Sequence, residues 1–241
     1  MNKLIYVKKI YIFICLIIFL VLFSYAQETS VQGAQEPERI VTANEFLNYV
    51  SAQYGAIDDY EANVAITKGK EKMTGIIYYK TPSLLRINFD NPKEQVLVVD
   101  KEKLVIYIPK YRVIMQQKLK KKSGVSGAGM ASREGLKILK QNYTVAYLES
   151  PDYVPLDENS SEMVIKLKFV WKTADEGFRQ LIMCVSEDNL IRRMICVSAD
   201  YQEMQFDFTD IKTNEGIPDT RFEYDSPASA NVFENFLFEA E

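Results

Sequence analysis

The 241-residue chain contains no histidine. That absence removes the commonest general base and the commonest metal ligand. It also excludes every Ser-His-Asp and Cys-His arrangement. There are only three cysteines, and no Cys or carboxylate cluster has metal-ligand spacing. Asp58-Asp59 reads as a solvated turn, and no pair of acids from separate elements suggests a hydrolase. The run Gly124-Val125-Ser126-Gly127-Ala128-Gly129 lacks the Gly-Lys-Ser/Thr ending of a phosphate loop. It reads instead as a hinge ahead of a lid helix. Basic residues are not in excess: the net charge is −4, which argues against a nucleic-acid partner. The expectation is no catalytic residue, no metal and no cofactor.

What the chain does hold begins with a targeting segment. Lys3, Lys8 and Lys9 form a positive n-region, and Ile10 to Phe23 an apolar stretch short for a bilayer span. Ser24-Tyr25-Ala26 places small residues at a cleavage site. The expected signal peptide is 1–26, cleaved after Ala26, with a retained anchor as the alternative. Export would put the mature chain in an oxidising compartment, where a disulfide is permitted. Of the remaining cysteines, Cys184 falls opposite roughly Arg193 and not opposite Cys196. That offset favours two buried free thiols over a bridge.

Residues 27–40 are polar and aperiodic and read as a flexible leader. Thr42 and Glu45 form a capping box. Phe46, Leu47, Val50 and Tyr54 then recur at helical spacing up to Gly55. From Tyr60 the period changes to two. Candidate strands are 60–68, 72–80, 83–89, 94–100, 103–109 and 112–118, joined by tight turns as in an antiparallel meander. A basic run at Lys118, Lys120, Lys121 and Lys122, with Lys110 and Arg112 nearby, is a solvated loop or a contact for anionic headgroups. The glycine-rich hinge and a short helix at 131–142 follow. Strands resume at 143–148, 162–171, 178–186, 190–199 and 203–211. Aromatic residues make up 12% of the chain, almost all Tyr and Phe, which suits strands. The fold class is α+β, mainly antiparallel β. About eleven strands form a single curved, half-open β-barrel, with the few helices over its mouth or inside it.

The order of these motifs resembles the periplasmic outer-membrane lipoprotein carrier family, the LolA-like proteins. The residues concerned are Gly75, Lys80, Pro82, Leu84-Leu85-Arg86-Ile87 and Asn91-Pro92. VLVVD (96–100) and LVIYIP (104–109) follow, then the Leu-bearing helix at 131–142. DIKTNEGIPDTRFEYDSP (210–227) closes the series. The resemblance implies a carrier domain over 41–241 that binds the acyl chains of lipoproteins in an apolar cavity. It further implies transfer from an inner-membrane lipoprotein-releasing transporter to an outer-membrane acceptor or membrane surface, by a monomer. The alternative on the same fold is a lipid-sensing envelope-stress regulatory protein. Alternation and the family pattern together place Ile77, Tyr79, Leu85, Ile87, Phe89, Leu97, Val105 and Tyr107 on the concave, ligand-binding face. Leu136 and Leu139 belong to the lid. The family's latch arginine precedes the early proline, where this chain has Thr81, so Lys80 and Arg86 are the candidate latch residues.

Overall fold

The computed structural model describes residues 41–100, 102–119, 129, 131–173 and 177–235. The expected signal peptide (1–26) and leader (27–40), most of the glycine-rich run and Lys120 to Lys122 lie outside the described residues. Val41–Glu241 form one compact unit.

Helix α1 (Ala43–Gly55) starts where the capping box places it. The Glu45 amide donates to Thr42 Oγ1 at 3.2 Å, and the Thr42 amide donates to Glu45 Oε2 at 3.0 Å. Two otherwise orphaned N–H groups are thereby satisfied. Its apolar stripe, Phe46, Leu47, Val50 and Tyr54, is buried.

Six strands follow: β1 (Asp59–Lys68), β2 (Glu71–Lys80), β3 (Leu84–Asn91), β4 (Val96–Val99), β5 (Lys103–Ile108) and β6 (Val113–Lys118). Helix α2 (Arg133–Asn142) runs directly into β7 (Tyr143–Tyr147). Then come β8 (Val154–Pro155), β9 (Met163–Trp171), β10 (Phe178–Ser186), β11 (Ile191–Ser198), β12 (Glu203–Thr213) and β13 (Asn231–Glu234). All belong to one sheet ordered β13-β6-β5-β4-β3-β2-β1-β12-β11-β10-β9-β7, with β8 beside β9. Every pairing is antiparallel except β13 with β6. The α+β class and the eleven expected strands are present. Among the described residues the count is corrected to 13, and the sheet is not closed. The two additional strands span two and four residues, too short for alternation to reveal.

The sheet curls around the helices, as chain geometry requires. Helix α2 ends at β7, while Glu134 in its first turn hydrogen-bonds Tyr79 of β2. Between β7 and β2 lie six strand spacings, about 29 Å across a flat sheet. A ten-residue helix is only about 15 Å long. One helix therefore joins both strands only if the sheet bends over it. Gly75 helps set the packing of β2 on β3. A Cβ there would lie 2.2 Å from the Asn88 carbonyl oxygen, beside the register shift between Thr74 and Gly75. Close approach of two backbones leaves room only for hydrogen.

The inner face, toward the helices, carries the main core. Ile77, Ile87, Leu136, Leu139, Leu167, Phe169 and Phe208 are all but inaccessible there. The outer face of β2 and β3 is covered by the C-terminal segment. Ile217 and Phe222 pack on Tyr78 and Leu84 in a second, smaller cluster. The buried Asp59 carboxylate accepts the Glu215 amide (2.9 Å) and the Ile217 amide (3.1 Å), anchoring the start of this strap. Downstream, β13 adds itself to the β6 edge.

Candidate functional site

Strand register assigns each residue to a face, because directly paired residues point the same way. Tyr60 of β1 pairs with Tyr79, Tyr79 with Leu85, Leu85 with Val99, Val99 with Leu104 and Leu104 with Gln117. One step along the strands, a second inner row reads Ala62, Ile77, Ile87, Leu97, Ile106, Met115. The second row is apolar throughout. The first carries two phenols and an amide among its aliphatic members.

Six expected site residues, Ile77, Tyr79, Leu85, Ile87, Phe89 and Leu97, lie on this inner face with Leu136 and Leu139 against them. Val105 and Tyr107 do not. Val105 pairs with Val98, and Tyr107 with Val96, on the outer face. The Tyr107 ring meets Tyr224 of the strap at 6.2 Å. The physical reason is that Leu104 to Ile108 is apolar on both faces, so alternation has no phase there. The signal that could have set the phase is the turn. The short connection between Asp100 and Lys103 pairs Val99 with Leu104 and Leu97 with Ile106. The Asp100 amide donates to Lys103 O at 3.0 Å across that turn, and Asp100 Oδ1 accepts the Glu102 and Lys103 amides.

The inner face is closed at one end and open at the other. Over β1 to β3 it is sealed by α1 and α2. A cavity of about 10 Å³ remains under the start of α2, lined by Tyr54, Ile57, Tyr60, Ala131, Ile191 and Phe208 among others. That is room for about one water, not for an alkyl chain. Over β4 to β6 the inner side chains Leu97, Val99, Leu104, Ile106 and Met115 are only half-buried, while Val98, Val105 and Ile114 on the outer face are buried. The apolar strip continues onto β13, where Phe233 pairs with Met115 and is 56% exposed. These half-exposed aliphatic side chains form a continuous apolar surface leading into a sealed core.

Helix α2 is held by few polar ties. The Tyr79 hydroxyl donates to Glu134 Oε2 and lies 3.3 Å from Pro82 O. Burial, and next the Glu134 carboxylate beside it, push the Tyr79 phenol well above its ordinary pKa. It therefore remains a donor at any physiological pH. Arg133 Nη2 donates to the Gly55 carbonyl at the end of α1, and Lys140 Nζ to Asn48 Oδ1 at 2.7 Å. The candidate latch residues serve elsewhere among the described residues. Lys80 Nζ donates to Ile217 O (2.7 Å) and pairs with Asp219 (2.6 Å). Arg86 donates to Asn88 Oδ1 (2.7 Å), Arg221 O (3.1 Å) and Glu223 O (2.8 Å). Both tie down the outer strap, and neither bonds α2. Cys184 and Cys196 are free and buried, with Cys184 opposite Arg193. Among the described residues no group of three metal-ligating side chains gathers.

A single curled sheet wrapped on two helices, with an apolar inner face half open, defines a protein built around an apolar interior. The chain belongs to the outer membrane lipoprotein carrier protein LolA family, whose model matches residues 63–225. It is 24% identical to the outer-membrane lipoprotein carrier protein of Pseudomonas putida over 204 residues, covering 85% of this chain and 90% of that one. It is 26% identical to the protein of that description from Dechloromonas aromatica over 162 residues, covering 67% and 72%. Among solved structures, an uncharacterized conserved protein from Thermus thermophilus superposes with a TM-score of 0.51 at 14% identity. That match covers 80% of this chain and 98% of the other, and it speaks for the fold alone.

Proposed function

We propose that this protein is an exported, periplasmic, monomeric carrier of acylated lipoproteins. It takes them from an inner-membrane releasing transporter and delivers them to an outer-membrane acceptor or the membrane surface. The observation that carries this reading is the half-exposed aliphatic strip on β4 to β6, continuous with a core that α2 closes. In the proposal the acyl chains first meet Leu97, Val99, Leu104, Ile106 and Met115. They then displace Leu136 and Leu139 and line up along Ile77, Leu85, Ile87 and Phe89.

Magnitudes favour such an exchange. Uncovering two buried leucines costs about 3–6 kcal/mol. Burying a single acyl chain of about 14 methylenes returns about 11 kcal/mol at roughly 0.8 kcal/mol per CH₂. Cargo therefore opens what its absence closes, and the closed state keeps the apolar interior from water between loads. No covalent chemistry is required.

Depletion of the protein in its native cells tests this reading. Acylated lipoproteins should accumulate in the inner-membrane fraction. An unchanged distribution, with failure of the purified protein to bind a dipalmitoylated lipopeptide, would overturn it.

A further inference from the structure

Successive strands of the meander reverse direction, so the β1/β2, β3/β4 and β5/β6 turns stand at one end of the sheet. Six exposed cations gather there: Lys68, Lys70 and Lys72 beside the first turn, Lys93 in the second, and Lys110 and Arg112 in the third. Three acids, Glu71, Asp90 and Glu94, accompany them. This end is therefore basic on a chain whose net charge is −4. None of the six forms an ion pair among the described residues, whereas Lys80, Arg133, Arg192, Arg193 and Lys212 all do. Sequence proximity groups Lys110 and Arg112 with Lys118, but β6 separates them. Arg112 and Lys118 stand at opposite ends of that strand, about 20 Å apart.

Tyr111 sits between Lys110 and Arg112 and is 64% exposed. Its ring lies 5.4 Å from Lys110 Nζ. An aromatic ring flanked by cations at the tip of a turn suits a bilayer surface: the ring settles among the headgroups and the cations meet phosphates. The inner apolar strip also runs to this turn. Ile106 pairs with Met115, and Ile108 with Val113 directly before Pro109. All four are half-buried.

We propose that this turn end is a docking surface for an anionic phospholipid bilayer, with Tyr111 as its interfacial anchor. The proposal rests on the carrier reading and deepens it. Seated on Tyr111, the protein presents the end of the open strip at headgroup level, and an acyl chain passes between bilayer and strip with little exposure to water. Each cation that reaches the surface strengthens attachment about fivefold, and salt weakens it. The three acids oppose the six cations, which keeps the attachment reversible.

The test sediments the mature chain with vesicles of phosphatidylcholine alone, or with about one-third phosphatidylglycerol. At low salt the wild type should bind the anionic vesicles at least about tenfold more strongly than the neutral ones, and lose this preference in about 0.5 M salt. Lys110→Glu combined with Arg112→Glu should weaken anionic-vesicle binding at least about tenfold, and Tyr111→Ser at least about threefold. Melting temperature should hold in both, because these side chains are exposed. Lys103→Glu with Lys118→Glu, at the opposite end of β5 and β6, should stay within about threefold of the wild type. Absence of anionic-vesicle binding by the wild type overturns the docking surface and leaves the carrier reading standing, provided a dipalmitoylated lipopeptide still binds. Wild-type vesicle binding by Tyr111→Ser or by the Lys110/Arg112 variant overturns it as well. So does a larger loss in the Lys103/Lys118 variant, which would place the membrane at the other end. Vesicle binding that follows the expected pattern without any lipopeptide binding supports the docking surface and overturns the carrier reading.

Discussion

The Tyr79 hydroxyl donates to the Glu134 carboxylate, a bond that joins β2 to the first turn of α2. It crosses from the sheet to the helix that covers the inner face. A hydrogen bond to a charged acceptor contributes about 1.5–3 kcal/mol, comparable to the burial of one leucine. Tyr79→Phe should lower stability by about 1.5 kcal/mol. It should also raise the fraction of molecules with α2 displaced. Hydrogen exchange of the Leu136 to Gln141 amides checks this: it should speed about tenfold while exchange in β10 and β11 is unchanged. Equal acceleration everywhere would mean global destabilisation, not a released lid.

Arg86 and Lys80 hold the opposite face. Together they engage the carbonyls of Ile217, Arg221 and Glu223 and the Asp219 carboxylate. Arg86→Ala should free the strap, expose Tyr78 and Leu84 and cost about 1–3 kcal/mol, since carbonyls lose a charged donor. Limited proteolysis is the measurement, with faster cleavage between Arg221 and Asn235. Lipopeptide affinity should change less than twofold, because the strap covers the face that the inner strip does not share. A large loss of affinity would restore Arg86 to the lid.

The buried cysteines give a pH-dependent marker. Burial raises the Cys184 thiol to about 11 and the Cys196 thiol to about 12, from an ordinary 9.0. The neutral thiol is the form the fold prefers. Its contribution is complete below about pH 9 and is lost as pH climbs through 11 to 12. At pH 8 an aromatic disulfide reagent should label neither thiol in the native protein and both on unfolding in denaturant. Rapid native labelling of either would contradict their placement.

Legibility followed chemistry. In β3 the alternation of Leu85, Ile87 and Phe89 with Arg86, Asn88 and Asp90 reveals the inner face, because that strand has one polar edge to read. In β5 the same method fails. Leu104, Val105, Ile106, Tyr107 and Ile108 are all apolar and none is fully exposed, so alternation has no phase there. Only the turn between Asp100 and Lys103 resolves the phase. The latch candidates were legible as cations near the corner but not as partners of carbonyls about 135 residues away. Interactions of that range depend on the path of the strap, which no local pattern encodes.

The two faces of β5 allow the site to be separated from the scaffold. Ile106 is half-buried on the inner strip, whereas Val105, its neighbour in sequence, is buried on the outer face. A carboxylate at 106 still reaches water, so Ile106→Glu should cost less than about 1.5 kcal/mol in stability. In a loaded site it would sit against alkyl chains without a partner, so dipalmitoylated lipopeptide binding should weaken at least about tenfold. Val105→Glu buries a charge between Val98 and the strap and should destabilise by about 3 kcal/mol or more. At 20 °C its folded fraction should keep near-normal affinity for the lipopeptide. Thermal melts and a displacement titration on the two variants make the comparison. If Ile106→Glu binds as the wild type does while Val105→Glu loses binding beyond its loss of fold, the ligand lies on the outer face and the inner strip is not the site.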